Sequence, residues 1–334
     1  MKIDDAKKIA EEILVNSGLN TDGAKIVADC FVTADACGVF THGVSVLASH
    51  VKKIKSGHYN ISSDITVEKQ SHAFTLVNSN NIMGPISAHE CMNIAIENAK
   101  EEGVHTVFAK NANTYGPAFY YTKMATDKGL IGITFCNTPA AMAPWGGYEK
   151  LIGTNPVAVG IPGDKKGPIL FDAATSKVAK SKIGKAMKNG ESIPDDWALD
   201  VNGNPTTDPL EAIKGVVLPM AEYKGYGVAL VIDILSGLIS GAGYSTSVNK
   251  FYSDDGAPMN VGQTFVAMNP QYILGDEFYC KVDEYINSIH SSKSVNENPP
   301  LYPGENKNKN YENSLVNGID YDSSTIEMLN CLVE

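Results

Sequence analysis

Tyr223-Lys224-Gly225-Tyr226-Gly227-Val228-Ala229-Leu230 is the stretch on which the fold turns. It sets Gly-x-Gly behind a Lys at a helix start, as a dinucleotide-binding turn would. Leu230, however, stands where the last Gly or Ala of GxGxxG must let helix and strand approach. The Rossmann fingerprint fails here. GxxxxGK[ST], GxSxG and HExxH are also missing, which leaves P-loop, hydrolase-elbow and zincin chemistry without a foothold. The longer run 225–243 approaches the length of a membrane span. Because Asp233 sits at its centre among glycines, it reads as a helix buried against other elements.

Outward from that helix the chain alternates helical and strand patterns. Helices are expected over 3–17, from a Thr21-Asp22 cap onward, from about Thr41, from Gly84-Pro85 to Glu102, over 117–128, over 176–188 and over 271–290. β-branched runs surround Gln70-Ser71-His72, and strands are expected at 104–109, 130–136, 157–161, 169–171 and 264–268. Short connections join them, which is a mixed α/β pattern. The stretch 193–209 is turn-rich, 241–262 is a Gly- and Ser-rich loop, and 291–298 and 305–313 are polar connections.

The 334 residues, 43% of them hydrophobic, can bury a large core. With 27 basic and 38 acidic side chains the formal charge is -11, a field that repels nucleic-acid backbones and anionic membranes. All 27 basic residues are Lys; the chain has no Arg. Any carboxylate or phosphate must therefore be held by Lys, His, hydroxyls, backbone N–H groups or helix N-termini. The six cysteines form no CxxC pair and have no His-rich partner spacing, so neither a metal site nor a disulfide framework is expected. With no signal-peptide pattern in the first 18 residues, a cytoplasmic location is expected.

Four clusters exceed what propensity demands. Thr41-His42-Gly43 lies at a helix start, where His42 is a proton-transfer candidate; a capping or surface histidine is the plainer reading taken alone. A continuous helix would place His42, Val46 and His50 on one stripe. The stretch 111–121 runs from a strand into Gly116-Pro117 and a Tyr-rich helix, as an ordinary βα turn does. Thr138, Pro139 and Pro144 to Gly147 join Gly153-Thr154-Asn155-Pro156, a fixed loop suited to a ligand. Asp172 to Ser176, before an expected helix, pairs with Lys224-Gly225 at another helix start; this is a phosphate cradle without Arg, or simple capping.

The segments ADACGVFTHG, NTPAAMAPWGG, IGTNPVAV, FDAATSKVAKSKI, SIPDDWALDVNGNPTTDP, YKGYGVAL and LYPGE, in this order over nearly the whole chain, resemble the malate/L-lactate dehydrogenase family. IPDDWALD, the LSG helix end and LYPGE are most similar to its ureidoglycolate dehydrogenase branch. The resemblance implies a non-Rossmann mixed-sheet α/β fold and one unit over 1–334. Within it, a helical part (1–60) precedes a cofactor-binding sheet (61–290) and a C-terminal segment (291–334) that packs back. It further implies a homodimer that binds NAD, with NADP as the alternative, and interconverts 2-hydroxy and 2-oxo acids. Asp172, Ala173, Ala174, Lys224, Gly225 and the Pro303-Gly304-Glu305 turn then correspond to cofactor contacts. Thr41 and His42 correspond to the family's Ser-His-Gly, and Thr138 to a polar substrate contact.

Departures accompany the matches. Val46 stands where the family has an Arg after the His, Thr114 where it has an acid/base histidine, and Met259 where a glycine-rich loop brings a substrate-binding Arg. Glu222 and Tyr223 replace a glycine pair. A Thr hydroxyl stays protonated near neutral pH, so His42 is left as the acid/base of the matched set, with His50 as an expected carboxylate partner when protonated. The competing expectation is a catalytically silent, dinucleotide-binding or scaffold homologue. A working enzyme for a less acidic substrate is the third.

Overall fold

The computed structural model of the chain describes residues 1–251, 257–295 and 297–333. Two helices open it, α1 (Ile3–Asn16) and α2 (Thr21–Ala36), packed through Ala10, Ile13, Leu14, Ala24, Val27 and Phe31. The cap of α2 is Asn20, one residue before the expected pair, whose side chain accepts the Gly23 N–H at 2.7 Å. After α3 (Leu47–Lys55) come the hairpin strands β1 (Thr66–Gln70) and β2 (Phe74–Asn78) on either side of Ser71-His72. Helix α4 (Gly84–Glu102) then crosses over to β3 (Val104–Ala112), which lies parallel to β2.

Helix α5 (Ala118–Thr126) leads into β4 (Ile131–Cys136), and β5 (Val157–Ile161) and β6 (Ile169–Ala173) follow. Next come α6 (Lys180–Asn189), β7 (Ala198–Leu199), α7 (Pro209–Lys214), β8 (Val216–Val217) and α8 (Tyr223–Asp233), which continues as a π-helical turn over Ile234–Leu238. The chain closes with β9 (Val261–Met268), α9 (Gln271–Leu274), α10 (Glu277–Ser291), α11 (Glu305–Asn317) and α12 (Ser323–Val333).

The main sheet has the order β1-β2-β3-β9-β4-β5-β6, and only β2–β3 is parallel. Strand β9, from late in the chain, thus forms the middle of the sheet. Successive residues of β9 face opposite sides. Phe265 meets Tyr115 and Tyr121 on the side of α5, while the Thr264 hydroxyl donates to the Leu235 carbonyl of the π turn at 2.6 Å. A second, smaller core gathers Met142, Ile152, Val178, Ile183, Ile193, Ala198 and Val217 beneath the 140–230 region.

Several local expectations change: 305–313, expected as a polar connection, lies in α11, and the helix expected over 271–290 breaks at Gly275 into α9 and α10. No continuous helix runs from Thr41: the 3-10 turns Phe40–His42 and Val44–Val46 precede α3, because Gly43 is extended against Asp35. Helix α6 starts at Lys180 rather than Ser176. Ser176 pairs with Pro219 in an isolated bridge, and its hydroxyl turns to the Val178 carbonyl at 2.8 Å. The apolar run at 225–243 is not buried all round. Its polar and small residues Asp233, Ser236 and Gly237 face inward, while Val231, Ile234, Leu238 and Ile239 are exposed.

Candidate active site

The two loop clusters and the two helix starts noted in the sequence meet at the ends of β4, β5 and β6. Asn155 ties them together. Its Oδ1 accepts the Thr138 N–H at 2.9 Å, and its Nδ2 donates to the Ala229 carbonyl inside α8 at 2.8 Å. Gly153 is required here, since a Cβ would fall 2.2 Å from the Thr138 carbonyl. The Thr138 and Thr154 hydroxyls stand 3.5 Å apart, and the Thr154 carbonyl accepts both the N–H and the hydroxyl of Thr175 at 3.0 Å. The Thr175 carbonyl in turn accepts the Met220 N–H at 2.9 Å, four residues before Lys224. A continuous hydrogen-bonded frame therefore links Thr138, the Asp172–Ser176 segment and the start of α8.

Asp172, on β6, does not cap a helix of its own segment. Its Oδ2 accepts the Phe119 N–H at the start of α5 at 3.0 Å. Burial pushes its pKa up, against the pull of that N–H, of Lys307 and of His42. Reciprocally, desolvation lowers the His42 pKa while Asp172 opposes the shift. Each side chain thus feels the charge of the other, but no hydrogen bond joins them among the described residues, and His42 is exposed in the single chain. The Thr41 hydroxyl engages Nδ1 at 3.0 Å, which leaves Nε2 with no partner among the described residues.

Lys307, unremarked in the sequence, joins this group from the first turn of α11, with its ammonium 5.4 Å from the Phe119 ring centroid. The Pro303-Gly304-Glu305 turn places α11 there. The Leu170 N–H of β6 donates to the Pro303 carbonyl at 2.9 Å, and Gly304, at φ +90°, has Leu170 backbone 2.7 Å from where a Cβ would lie. The buried Glu305 carboxylate is engaged by His290 at 2.8 Å and Lys309 at 2.7 Å. Spacing could not announce Lys307, since α11 reaches β6 from 135 residues downstream.

Other expected site residues lie elsewhere. His50 is a core side chain, its ring centroid 5.2 Å from Phe31 and its Nδ1 2.9 Å from the Tyr59 hydroxyl. Desolvation, reinforced by Lys53, lowers its pKa to about 3. It stays neutral, so it is no carboxylate partner. Met259 is buried in the main core, and Val46 packs against that core half-buried. Neither position is filled by a polar substitute. Thr114 is half-buried in the β3–α5 connection, its carbonyl pressed on Gly84, where a Cβ would come within 1.9 Å. Among the described residues no group of three metal-ligating side chains occurs.

Lys224, the second residue of α8, makes no ion pair among the described residues, and Gly227 one turn on has open space where a Cβ would be. A free cation beside open space at a helix start suits an anionic cofactor. Residues 1–330 match the family model described as malate/L-lactate dehydrogenase. The chain belongs to this family.

L-sulfolactate dehydrogenase of Methanocaldococcus jannaschii is 38% identical over 93% of this chain and 90% of its own. Ureidoglycolate dehydrogenase (NAD(+)) of Escherichia coli K12 is 32% identical over 94% and 90%. The first likeness extends to structure: the sulfolactate dehydrogenase of M. jannaschii superposes with a TM-score of 0.91 at 36% identity, covering 99% of this chain and 96% of that one. The mixed-sheet fold and the dehydrogenase family expected from the sequence are borne out, as is the likeness to ureidoglycolate dehydrogenase. The sulfolactate enzyme shares more residues, so identity does not single out the ureidoglycolate branch. The relatives are dehydrogenases, and nothing among them favours the silent alternative. Among the described residues, no helix of this malate/L-lactate dehydrogenase family member is long and apolar enough to cross a membrane.

Proposed function

We propose that this protein is an NAD(P)-dependent dehydrogenase that interconverts a small 2-hydroxy acid and a 2-oxo acid. NAD is the preferred cofactor, since no Arg exists to clamp a 2′-phosphate. The observation that carries the reading is that Thr41 engages His42 Nδ1 and leaves Nε2 open, while Asp172 leads from β6 into the hydrogen-bonded Thr138–Thr154–Thr175 frame. The backbone of Asp172, Ala173 and Ala174, the start of α8 at Lys224-Gly225, and the Pro303-Gly304-Glu305 turn are the parts that hold the cofactor.

The bound nicotinamide supplies the hydride acceptor in the oxidising direction. His42 Nε2 takes the substrate hydroxyl proton, while Thr41 holds the ring through Nδ1. As the imidazolium forms, the nearby Asp172 carboxylate stabilises it, and the Phe119 N–H keeps that carboxylate in place. In reduction the imidazolium returns the proton to the nascent alkoxide. Thr138 offers a hydroxyl to the substrate. Thr114 serves as a neutral wall, and Val46 leaves that side apolar.

The reading includes a homodimer in the cytoplasm. All six cysteines are free, four of them buried, which suits a reducing compartment. The exposed apolar face of α8 and its π turn suits a second copy. The function is tested by following NADH and NADPH oxidation by the purified protein with glyoxylate, oxalurate, pyruvate, oxaloacetate and 3-sulfopyruvate. Turnover of at least one acid is expected. Saturable quenching of NADH fluorescence with no turnover of any of them would instead overturn the 2-oxo acid reading, in favour of the silent alternative or of an enzyme for a less acidic substrate.

A further inference from the structure

We infer that Asp35 is the positioning residue for His42, and that Tyr321, delivered by the C-terminal segment, completes the support. Asp35 lies in the last turn of α2 and is 2% exposed. Its Oδ2 accepts the Val44 N–H at 2.9 Å and the Tyr321 hydroxyl at 2.9 Å. Its Oδ1 is packed on Gly43, where a Cβ would lie 1.6 Å away. No residue with a side chain fits there, so the carboxylate dictates both the glycine after His42 and the break that ends the turn.

His42 is thereby held from both ends. Upstream, Gly38 N–H donates to the Asp35 carbonyl and Val39 N–H to the Ala34 carbonyl, both at 2.8 Å. Downstream, the Asp35 carboxylate grips Val44. Between these anchors the His42 N–H closes the 3-10 turn on the Val39 carbonyl at 3.0 Å. Tyr321 also meets the turn itself, its ring edge-on to Phe40 with the centroids 6.4 Å apart.

The placement of Tyr321 is set by a separate group of bonds. Asn310 and Ser314 of α11 donate to the Cys37 and Ala36 carbonyls at 3.3 and 3.1 Å, and Ile319 exchanges backbone bonds with Met1 at 2.7 and 2.8 Å. A carboxylate buried at this cost, with only two donors, is a poor device for stability alone. Its bonds converge instead on the two residues that follow His42 and on the tail that braces them. This account of Asp35 rests on the proposed function for its kinetic consequence but not for its geometric one.

The test uses the full-length protein and its seven histidines, whose ring signals are followed by NMR across pH, the His42 signal being assigned with His42→Gln. In Asp35→Asn and in Tyr321→Phe, which keeps the ring and loses only the hydroxyl, the His42 signal is expected to shift and its titration midpoint to move, while the other six stay in place. In turnover, Asp35→Asn lowers kcat by on the order of 10- to 100-fold through misplacement of the base, with the KM for NADH unchanged.

A His42 signal and midpoint superimposable on the wild type in both variants overturns the inference. So does a loss of thermal stability with no change at His42, the mark of a merely structural carboxylate. Should Asp35→Asn not fold, Tyr321→Phe decides alone. Should the wild type turn over no acid, the proposed function fails while the spectra still judge Asp35.

Discussion

His50 and Asp35 are both buried and titrate in opposite senses. Burial lowers His50 from 6.5 to about 3 and raises Asp35 from 3.8 to about 7. For His50 the unfolded chain binds the proton that the fold refuses, so its contribution to stability is lost as pH falls from about 6.5 toward 3. For Asp35 the fold binds the proton first, so stability is lost as pH rises from about 4 to 7. Between about pH 4 and 6.5 the two slopes oppose each other. In urea unfolding, Asp35→Asn should make stability climb with pH more steeply than in the wild type, by up to about 1.4 kcal/mol per pH unit. His50→Gln should tilt it the other way, and parallel profiles in all three proteins would refute the assignment. The same pair explains what the sequence misled about. His42, Val46 and His50 share a stripe only on an unbroken helix, and the break comes from Asp35, seven residues before His42, pressing on Gly43. Thr41, His42 and Asp172 stand out in local motifs, and Asp35 lies in the same ADACGVFTHG segment as His42 with no sign of its contacts; Lys307 acts across the fold and carried no local signal.

At the scale of elements, the entrance to α8 stores strain. Ala221 and Glu222 adopt φ +46° and +57°, with ψ −129° at Glu222, a region that glycine occupies most readily. Exposed Glu222 makes no ion pair among the described residues, so Glu222→Gly should raise stability by about 1 kcal/mol. An unchanged or lower urea midpoint would contradict this reading. Most element types were legible because β-branched runs and helical spacing are local. The place of β9 between β3 and β4 was not, since pairing across more than 120 residues leaves no local trace. The late start of α6 was hidden for a similar reason: the Ser176 bridge to Pro219 is tertiary.

Across the whole molecule, α8 and its π turn are inverted relative to an ordinary surface helix. The Asn137 amide donates to Asp233 at 2.9 Å and to the Gly243 carbonyl at 2.7 Å within the protein, while Val231, Ile234, Leu238 and Ile239 look outward at 42 to 52% exposure. The proposed homodimer would cover this outward apolar ridge. Sedimentation should return twice 35.7 kDa, and Val231→Asp with Ile239→Asp should return the single mass. A monomeric wild type would remove the dimer from the account.

The central claim is that His42 is the proton-transfer group of an NAD(P)-linked 2-hydroxy acid dehydrogenase. The measurement that tests it most directly is the rate of NADH or NADPH oxidation by the wild type and by His42→Gln with the 2-oxo acid that turns over fastest. The account predicts a fall of about 10² to 10⁴ in kcat with NADH fluorescence quenching retained. Undiminished turnover by His42→Gln would contradict it.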